Sequence, residues 1–354
     1  MLKRFSLLAA ATLLGVSGFA AGIELQKDGS IKIDGDAAAL ALKHYGENWV
    51  PTGQSERGSY KPAVEQSGDL TRFSGVWTLA AGGSADCGIE AKRVEGGYDL
   101  SWKLSAATPV PSRALSLELK LPAWSTFGKP VRIGDEEFLF PEEPGKDSTV
   151  VSRDGVRRME FPLQTGRLIL EPGEPVSMLL ADFRVFNSAD FAARILLPIG
   201  KDVFSESALT MRMRFIPYEV KPLDIRRQVN MGFRDEVAED GKGGWTDQGP
   251  TNDLSAMKPG KIAIAPVTFD VIDPAKNNGK SCIVLGGGGR PYFPRKVTLP
   301  ADGGKVRTVF LLHAVAWPPA GGEPAGTVTA VYKDGSRYST PVESGRDVAN
   351  WWQP

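Results

Sequence analysis

The sequence predicts an all-β protein: two tandem β-sandwich or jelly-roll domains behind an N-terminal signal peptide. Three observations predict it. Apolar side chains recur with period two over long stretches, Asp-Gly and Gly-Gly pairs punctuate them, and the chain holds 40 Gly and 26 Pro in 354 residues. That share is well above average and leaves little room for long helices.

The alternation is clearest at Leu115, Leu117, Leu119 and Leu121, and again at Leu209, Met211, Met213 and Phe215. Thr210, Arg212 and Arg214 stand between the second set. An arginine at every second place is costly inside a core, so one face is wet, as in an antiparallel sheet buried on one side. Asp28-Gly29, Gly96-Gly97, Asp154-Gly155 and Asp334-Gly335 sit between strand-like runs. Such pairs supply the positive φ that tight hairpin turns need. The best helical window runs from Asp36, a possible N-cap, to Gly46, a possible C-cap. Leu40, Leu42 and His44 alternate within it, and it is read as a strand.

The N-terminus reads as a secretory signal. Lys3 and Arg4 precede an apolar stretch from Phe5 to Val16, and Gly18-Phe19-Ala20 places small residues before a cleavage point after Ala20. The stretch is short of the ~20 apolar residues that span a bilayer. No cysteine follows to carry a lipid, so the expectation is a periplasmic or extracellular protein with no membrane insertion after cleavage. Charge is balanced at 42 Lys+Arg against 42 Asp+Glu. Losing the leader removes only Lys3 and Arg4, so no electrostatic footprint for nucleic acid is expected. Of the two cysteines, Cys87 and Cys282, each falls in a different expected domain. Export permits a disulfide between them, but two separate buried thiols is the preferred reading.

The domains are expected at 21–220 and 221–354, after the leader at 1–20. Val220-Lys-Pro-Leu-Asp224 reads as the linker. From Asn230 the texture turns Gly-rich and acidic, through Asp235, Glu236, Glu239 and Asp240. Three apolar strands are then expected, at 261–272, 281–285 and 306–317.

Most candidate chemistry fails on inspection. Asn277-Asn-Gly-Lys-Ser281 ends like a phosphate loop, but Pro274 replaces its first glycine. The Gly286–Gly289 run leads to Arg290-Pro291 rather than to a helix. Only two histidines exist, and His313 lies in the apolar run Val309–Trp317, where a core histidine is expected. Carboxylate pairs for glycoside hydrolysis are available, as in Asp135-Glu136-Glu137 and Glu142-Glu143. They are indistinguishable from solvated loop acids.

The densest polar cluster is Gly243-Gly-Trp-Thr-Asp-Gln-Gly-Pro-Thr-Asn-Asp-Leu254. Trp245 suits stacking on a sugar face. Asp247, Gln248, Asn252 and Asp253 suit bonding to hydroxyls, or their oxygens suit Ca²⁺. The alternative is a structural loop, with Trp245 packed inward and Asp247 and Asn252 capping backbone groups through Asx-turns.

That cluster, followed by Phe269-Asp-Val-Ile-Asp-Pro274, Asn278-Gly-Lys-Ser281, Leu312-His313 and the closing Val348-Ala-Asn-Trp351, resembles a galactose-binding-like jelly-roll accessory module. Such modules are attached to large secreted bacterial polysaccharide-processing enzymes. The likeness covers about residues 222–354, and the preceding region resembles, more weakly, the N-terminal sandwich of such enzymes. The resemblance implies a catalytic domain beyond Trp351-Trp352-Gln353-Pro354, where this sequence ends. The expectation is an exported non-catalytic protein, an accessory part that binds polysaccharide or oligosaccharide. The alternatives are a glycoside hydrolase or polysaccharide lyase acting through paired carboxylates, and a structural cell-envelope protein.

Overall fold

The computed structural model describes residues 22–352 apart from 57, 80–82, 243, 265–266, 288–291, 302–305, 307 and 321. The expected leader at 1–20 therefore lies outside the described residues, as do Gly243 and most of the Gly286–Pro291 stretch. The chain divides into two compact units, Met1–Tyr218 and Glu219–Pro354. The fold is all-β, as the period-two patterning predicts.

In unit 1 the chain runs through β1 (Ile23–Leu25), β2 (Ile31–Ile33), β3 (Ala38–Gly46), β4 (Pro51–Gly53), β5 (Ala63–Ser67), β6 (Leu70–Thr78), β7 (Ser84–Val94) and β8 (Gly97–Pro122). A four-residue helix at Ala123–Thr126 follows. Then come β9 (Pro130–Ile133), β10 (Glu136–Leu139), β11 (Thr149–Val156), β12 (Met159–Pro162), β13 (Gly166–Pro172), β14 (Val176–Asp182), β15 (Asp190–Leu196) and β16 (Val203–Pro217). The window 36–46 is thus a strand from Ala38 onward, with Leu40, Leu42 and His44 all turned inward.

β8 organises the unit. Its first half, from Gly97 to Ser105, pairs with β7 on one side and β16 on the other. Its second half pairs with β3 and β15. The strand therefore leaves one sheet and enters a second, which is how the corners of a β-sandwich are made. Leu100, Trp102 and Leu104 from one half, and Leu115, Leu117, Leu119 and Leu121 from the other, are all buried in one continuous core. Leu209, Met211, Met213 and Phe215 of β16 join them, while Arg212 on the opposite face pairs with Asp99 at 2.7 Å.

Two turn expectations need correction. The two-residue turn after β7 is Glu95-Gly96, because Gly97 already pairs with Val94. Asp154-Gly155 is no hairpin: it lies inside β11, where the register against β14 shifts between Arg153 and Val156. The positive φ of 69° at Gly155 serves a β-bulge there.

Unit 2 holds, among the described residues, two hairpins: β17 (Gly260–Ile264) with β18 (Val267–Val271), and β19 (Pro324–Val331) with β20 (Arg337–Glu343). The expected strand at 261–272 is thus a hairpin. Among the described residues, the runs at 281–285 and 306–317 form no regular strand and make single bridges, Met231 to Cys282 and Val315 to Asn350. A continuous apolar run has no period-two face to fix its pairing, and Val309, Leu311 and Leu312 remain exposed. His313 is consequently exposed rather than in a core, with Nε2 3.1 Å from the Asp347 carbonyl. Both cysteines are free thiols.

Candidate functional site

The loop singled out in the sequence is organised by buried carboxylates. Asp247 is fully buried, at a positive φ of 54°. Its Oδ1 accepts the Asp240 N–H at 3.1 Å, its Oδ2 accepts the Gly241 N–H at 3.2 Å, and the Tyr292 hydroxyl donates to it. Asp253 accepts the Asp235 and Ser255 N–H groups at 3.2 and 2.9 Å. Burial pushes the Asp253 carboxyl up, but the hydrogen bonds from Ser255 and Asp235 outweigh it and hold it below its ordinary range. Asn252 receives the Thr246 hydroxyl on its carbonyl at 2.8 Å. Gln248 is half-buried beside them. These contacts are the backbone-capping kind that fix a loop's shape.

Trp245 is half-buried, and its ring meets Trp351 edge to face at 5.2 Å. Trp351 meets Trp352 in the same way at 5.2 Å, and Trp352 is 62% exposed. The three indoles form a row whose free end is Trp352. Reading the sequence singled out Trp245 and missed Trp352. The available signal was the adjacent Trp351-Trp352 pair.

A third grouping brings Asp235 into the site. One carboxylate oxygen from each of Asp235, Asp240 and Asp247 lies within 4.8 Å of the others. Asp235 is buried; its Oδ2 accepts the Gly249 N–H at 2.8 Å, while its Oδ1 has no partner among the described residues. Oxygens on opposite sides of a Ca²⁺ ion stand roughly 5 Å apart, so an all-carboxylate set of this span fits a hard cation better than Zn²⁺. The cation donors that fit are therefore Asp235, Asp240 and Asp247, of which the sequence reading had only Asp247. Asp253 is not in the group.

Two open concavities lie elsewhere. One in unit 2, of about 720 Å³, is lined by residues such as Met231, Phe233, Met257 and Lys280, and by none of the five predicted site residues. One in unit 1, of about 1060 Å³, crosses β6, β7, β8 and β16 beneath Pro198-Ile199-Gly200. Asp86 and Glu206 both pair with Ser105 of β8, from opposite sides, and all three line this groove. Two strand spacings put the two backbones about 10 Å apart. By contrast, Glu136 and Glu137 serve surface ion pairs, with Arg153 at 2.8 Å and with Arg132 at 3.4 Å.

No protein-family model matches the chain, and no curated protein matches it in sequence. Among solved structures, it is similar to a 4-alpha-glucanotransferase from Thermococcus litoralis, at 12% identity and a TM-score of 0.35 over 50% of this chain. The chain spans only 27% of that enzyme's length. It is also similar to a protein of Escherichia coli K12 assigned as an aldose 1-epimerase, at 8% identity and a TM-score of 0.29. That match covers 44% of this chain and 69% of the other. Both neighbours are carbohydrate-processing proteins by name, but scores this low carry no inference about this chain.

Proposed function

We propose that the protein is an exported, non-catalytic polysaccharide-binding protein whose sugar contact lies at the tryptophan row of unit 2. The observation that carries this reading is Trp352: a large ring 62% exposed, braced edge to face by Trp351, which is braced in turn by Trp245. An exposed, pre-positioned indole offers a flat apolar face at little entropic cost, which suits the apolar face of a pyranose. The rigid carboxylate-capped loop beside it holds Trp245 in place. The signal-like N-terminus and the resemblance of residues 222–354 to accessory modules of polysaccharide-processing enzymes support the same reading.

The expected outcome is binding of at least one polysaccharide on a glycan array, confirmed by calorimetry, with Trp352→Ala weakening it about tenfold. Failure of every polysaccharide to bind removes the reading. Export is checked in the same preparation: a mature chain recovered outside the cytoplasm, beginning at Ala21.

The groove of unit 1 favours a second reading, a glycoside hydrolase or lyase with Asp86 and Glu206 as its carboxylates. Inverting glycosidases hold their acids roughly 6.5–9.5 Å apart, within reach of the two backbones here. This reading expects turnover of a polysaccharide that Asp86→Asn abolishes. Inactivity on pooled polysaccharides counts against it.

A further inference from the structure

Unit 1 carries an aromatic and charged face that neither the tryptophan row nor the groove uses. It starts at the hairpin between β3 and β4. The Trp49 N–H donates to the Gly46 carbonyl at 2.9 Å, and the Gly46 N–H donates to the Val50 carbonyl at 3.0 Å. Trp49 closes this turn at a φ of 61°. Glycine is the usual residue where a hairpin turn ends in the left-handed region, because a side chain there crowds its own backbone. Here the position holds the bulkiest side chain available, and it is 59% exposed. Neither backbone preference nor burial rewards a tryptophan at this place. Strain of this kind persists where the side chain has a task.

What lies beside Trp49 suggests the task. Its ring stands 6.0 Å from that of Tyr45. The Tyr45 hydroxyl donates to Glu118 Oε2 at 2.9 Å, Arg194 Nε donates to the same oxygen at 3.1 Å, and Lys43 Nζ donates to Oε1 at 3.3 Å. The Arg194 guanidinium stacks between Tyr45 and Phe183, at 4.5 and 4.9 Å from the ring centres. Glu118 is almost fully buried, and it is one negative charge between two positive ones. Replacing a buried ion cluster by well-packed apolar residues is often neutral or stabilising, so the cluster is weak evidence of a purely stabilising role. The cluster keeps a net positive charge. Lys43 has three donors, gives one to Glu118, and its side chain is 23% exposed.

We propose that exposed Trp49 and partly exposed Lys43, supported by the buried Tyr45 and the largely buried Arg194, bind a carboxylate-bearing sugar unit, with the pyranose ring on Trp49 and its carboxylate at Lys43. The charge of the cluster selects an acidic polysaccharide over a neutral one. This names a substrate class and rests on the polysaccharide-binding reading, but at a site separate from Trp352.

The test uses the full-length protein with polygalacturonate as the acidic probe and pullulan as the neutral one. Titration calorimetry is expected to show polygalacturonate binding that weakens as NaCl is raised, and no pullulan binding at this face. Trp49→Gly is expected to weaken polygalacturonate at least tenfold while Tm holds or rises, because the strain is relieved. Lys43→Gln is expected to weaken binding and flatten its salt dependence. Wild-type affinity in Trp49→Gly overturns the proposal, and so does a marked fall in its Tm, which makes Trp49 a structural residue. If polygalacturonate fails to bind while another glycan binds through Trp352, this proposal falls and the wider reading stands. If no glycan binds, both fall.

Discussion

Asp34 shows how one buried side chain ties distant turns together. It sits between β2 and β3 at a φ of 54°, 3% exposed. Its Oδ2 accepts the Thr165 N–H at 2.8 Å, and the Thr165 hydroxyl donates to its Oδ1. Thr165 belongs to the turn between β12 and β13, in the other sheet. Asp34→Ala strands a buried N–H and a hydroxyl together, and is expected to cost about 2 kcal/mol in urea unfolding. His44 offers a pH test. Its Nε2 is 2.7 Å from Ser112 Oγ, whose hydroxyl donates to the Val110 carbonyl at 2.8 Å. The ring nitrogen must therefore donate, and Nδ1 has no partner among the described residues. The histidine is neutral, and burial lowers its pKa below the ordinary 6.5. The unfolded chain then takes up a proton near pH 6.5 that the folded chain refuses. Stability is full above that pH and falls as pH drops through it toward the folded pKa. Between pH 7.5 and 5.5 the unfolding free energy is expected to fall in the wild type and to stay nearly level in His44→Asn. Little of this was legible in the sequence. The alternation at Leu40, Leu42 and His44 put the ring inside, but Ser112 and Thr165 are partners that only the register supplies.

β8 decides the architecture at the level of elements, and its parts were read unequally. The leucines at 115, 117, 119 and 121 announced a strand with one buried face, and all four are buried. Their period says which face is inward but not which strands lie alongside, so the passage of β8 from one sheet to the other left no mark in the alternation. Asp154-Gly155 misled for a related reason: the same φ serves a turn or a bulge, and long-range pairing chooses between them. Gly97 is where the pairing is tightest. A Cβ there would lie 1.8 Å from the Met213 carbonyl oxygen and 2.9 Å from the Arg214 Cα, backbone atoms of β16 that are held in the ladder. Gly97→Ala is expected to cost about 3 kcal/mol or more by forcing β8 and β16 apart. Gly88 of β7 is the control, because the nearest atom to its Cβ site is 3.9 Å away. Gly88→Ala is expected to stay within about 0.5 kcal/mol of the wild type. Equal losses in the two variants would show that the close approach at Gly97 does not limit stability.

Across the whole molecule, the two units hold themselves together by different means. Unit 1 encloses one continuous apolar core reaching from Ile23 to Phe215. The buried apolar side chains of unit 2, among the described residues, are Val229, Phe233, Val267, Val271, Val284, Phe293 and Val348. So small a set supplies little hydrophobic stabilisation. Unit 2 leans instead on polar turns, and the group at Asp235, Asp240 and Asp247 is central to them. Three carboxylates within 4.8 Å repel one another, and the Asp235 Oδ1 without a partner adds the cost of a desolvated charge. A cation bound there removes both costs and binds the folded unit alone, so it raises stability by mass action. Calorimetry is accordingly expected to resolve two transitions. After treatment with a chelator, millimolar CaCl₂ should raise the lower one, unit 2, by about 5 °C and leave the upper one in place. Asp240→Asn removes a ligand at an exposed position, where loss of folding is not expected, and should abolish the shift. A lower transition indifferent to CaCl₂, or one that moves equally in Asp240→Asn, would mean that the acidic group is held by its protein partners alone. The loop carrying Trp245 would then owe its shape to the Asp247 and Asp253 caps without help from an ion.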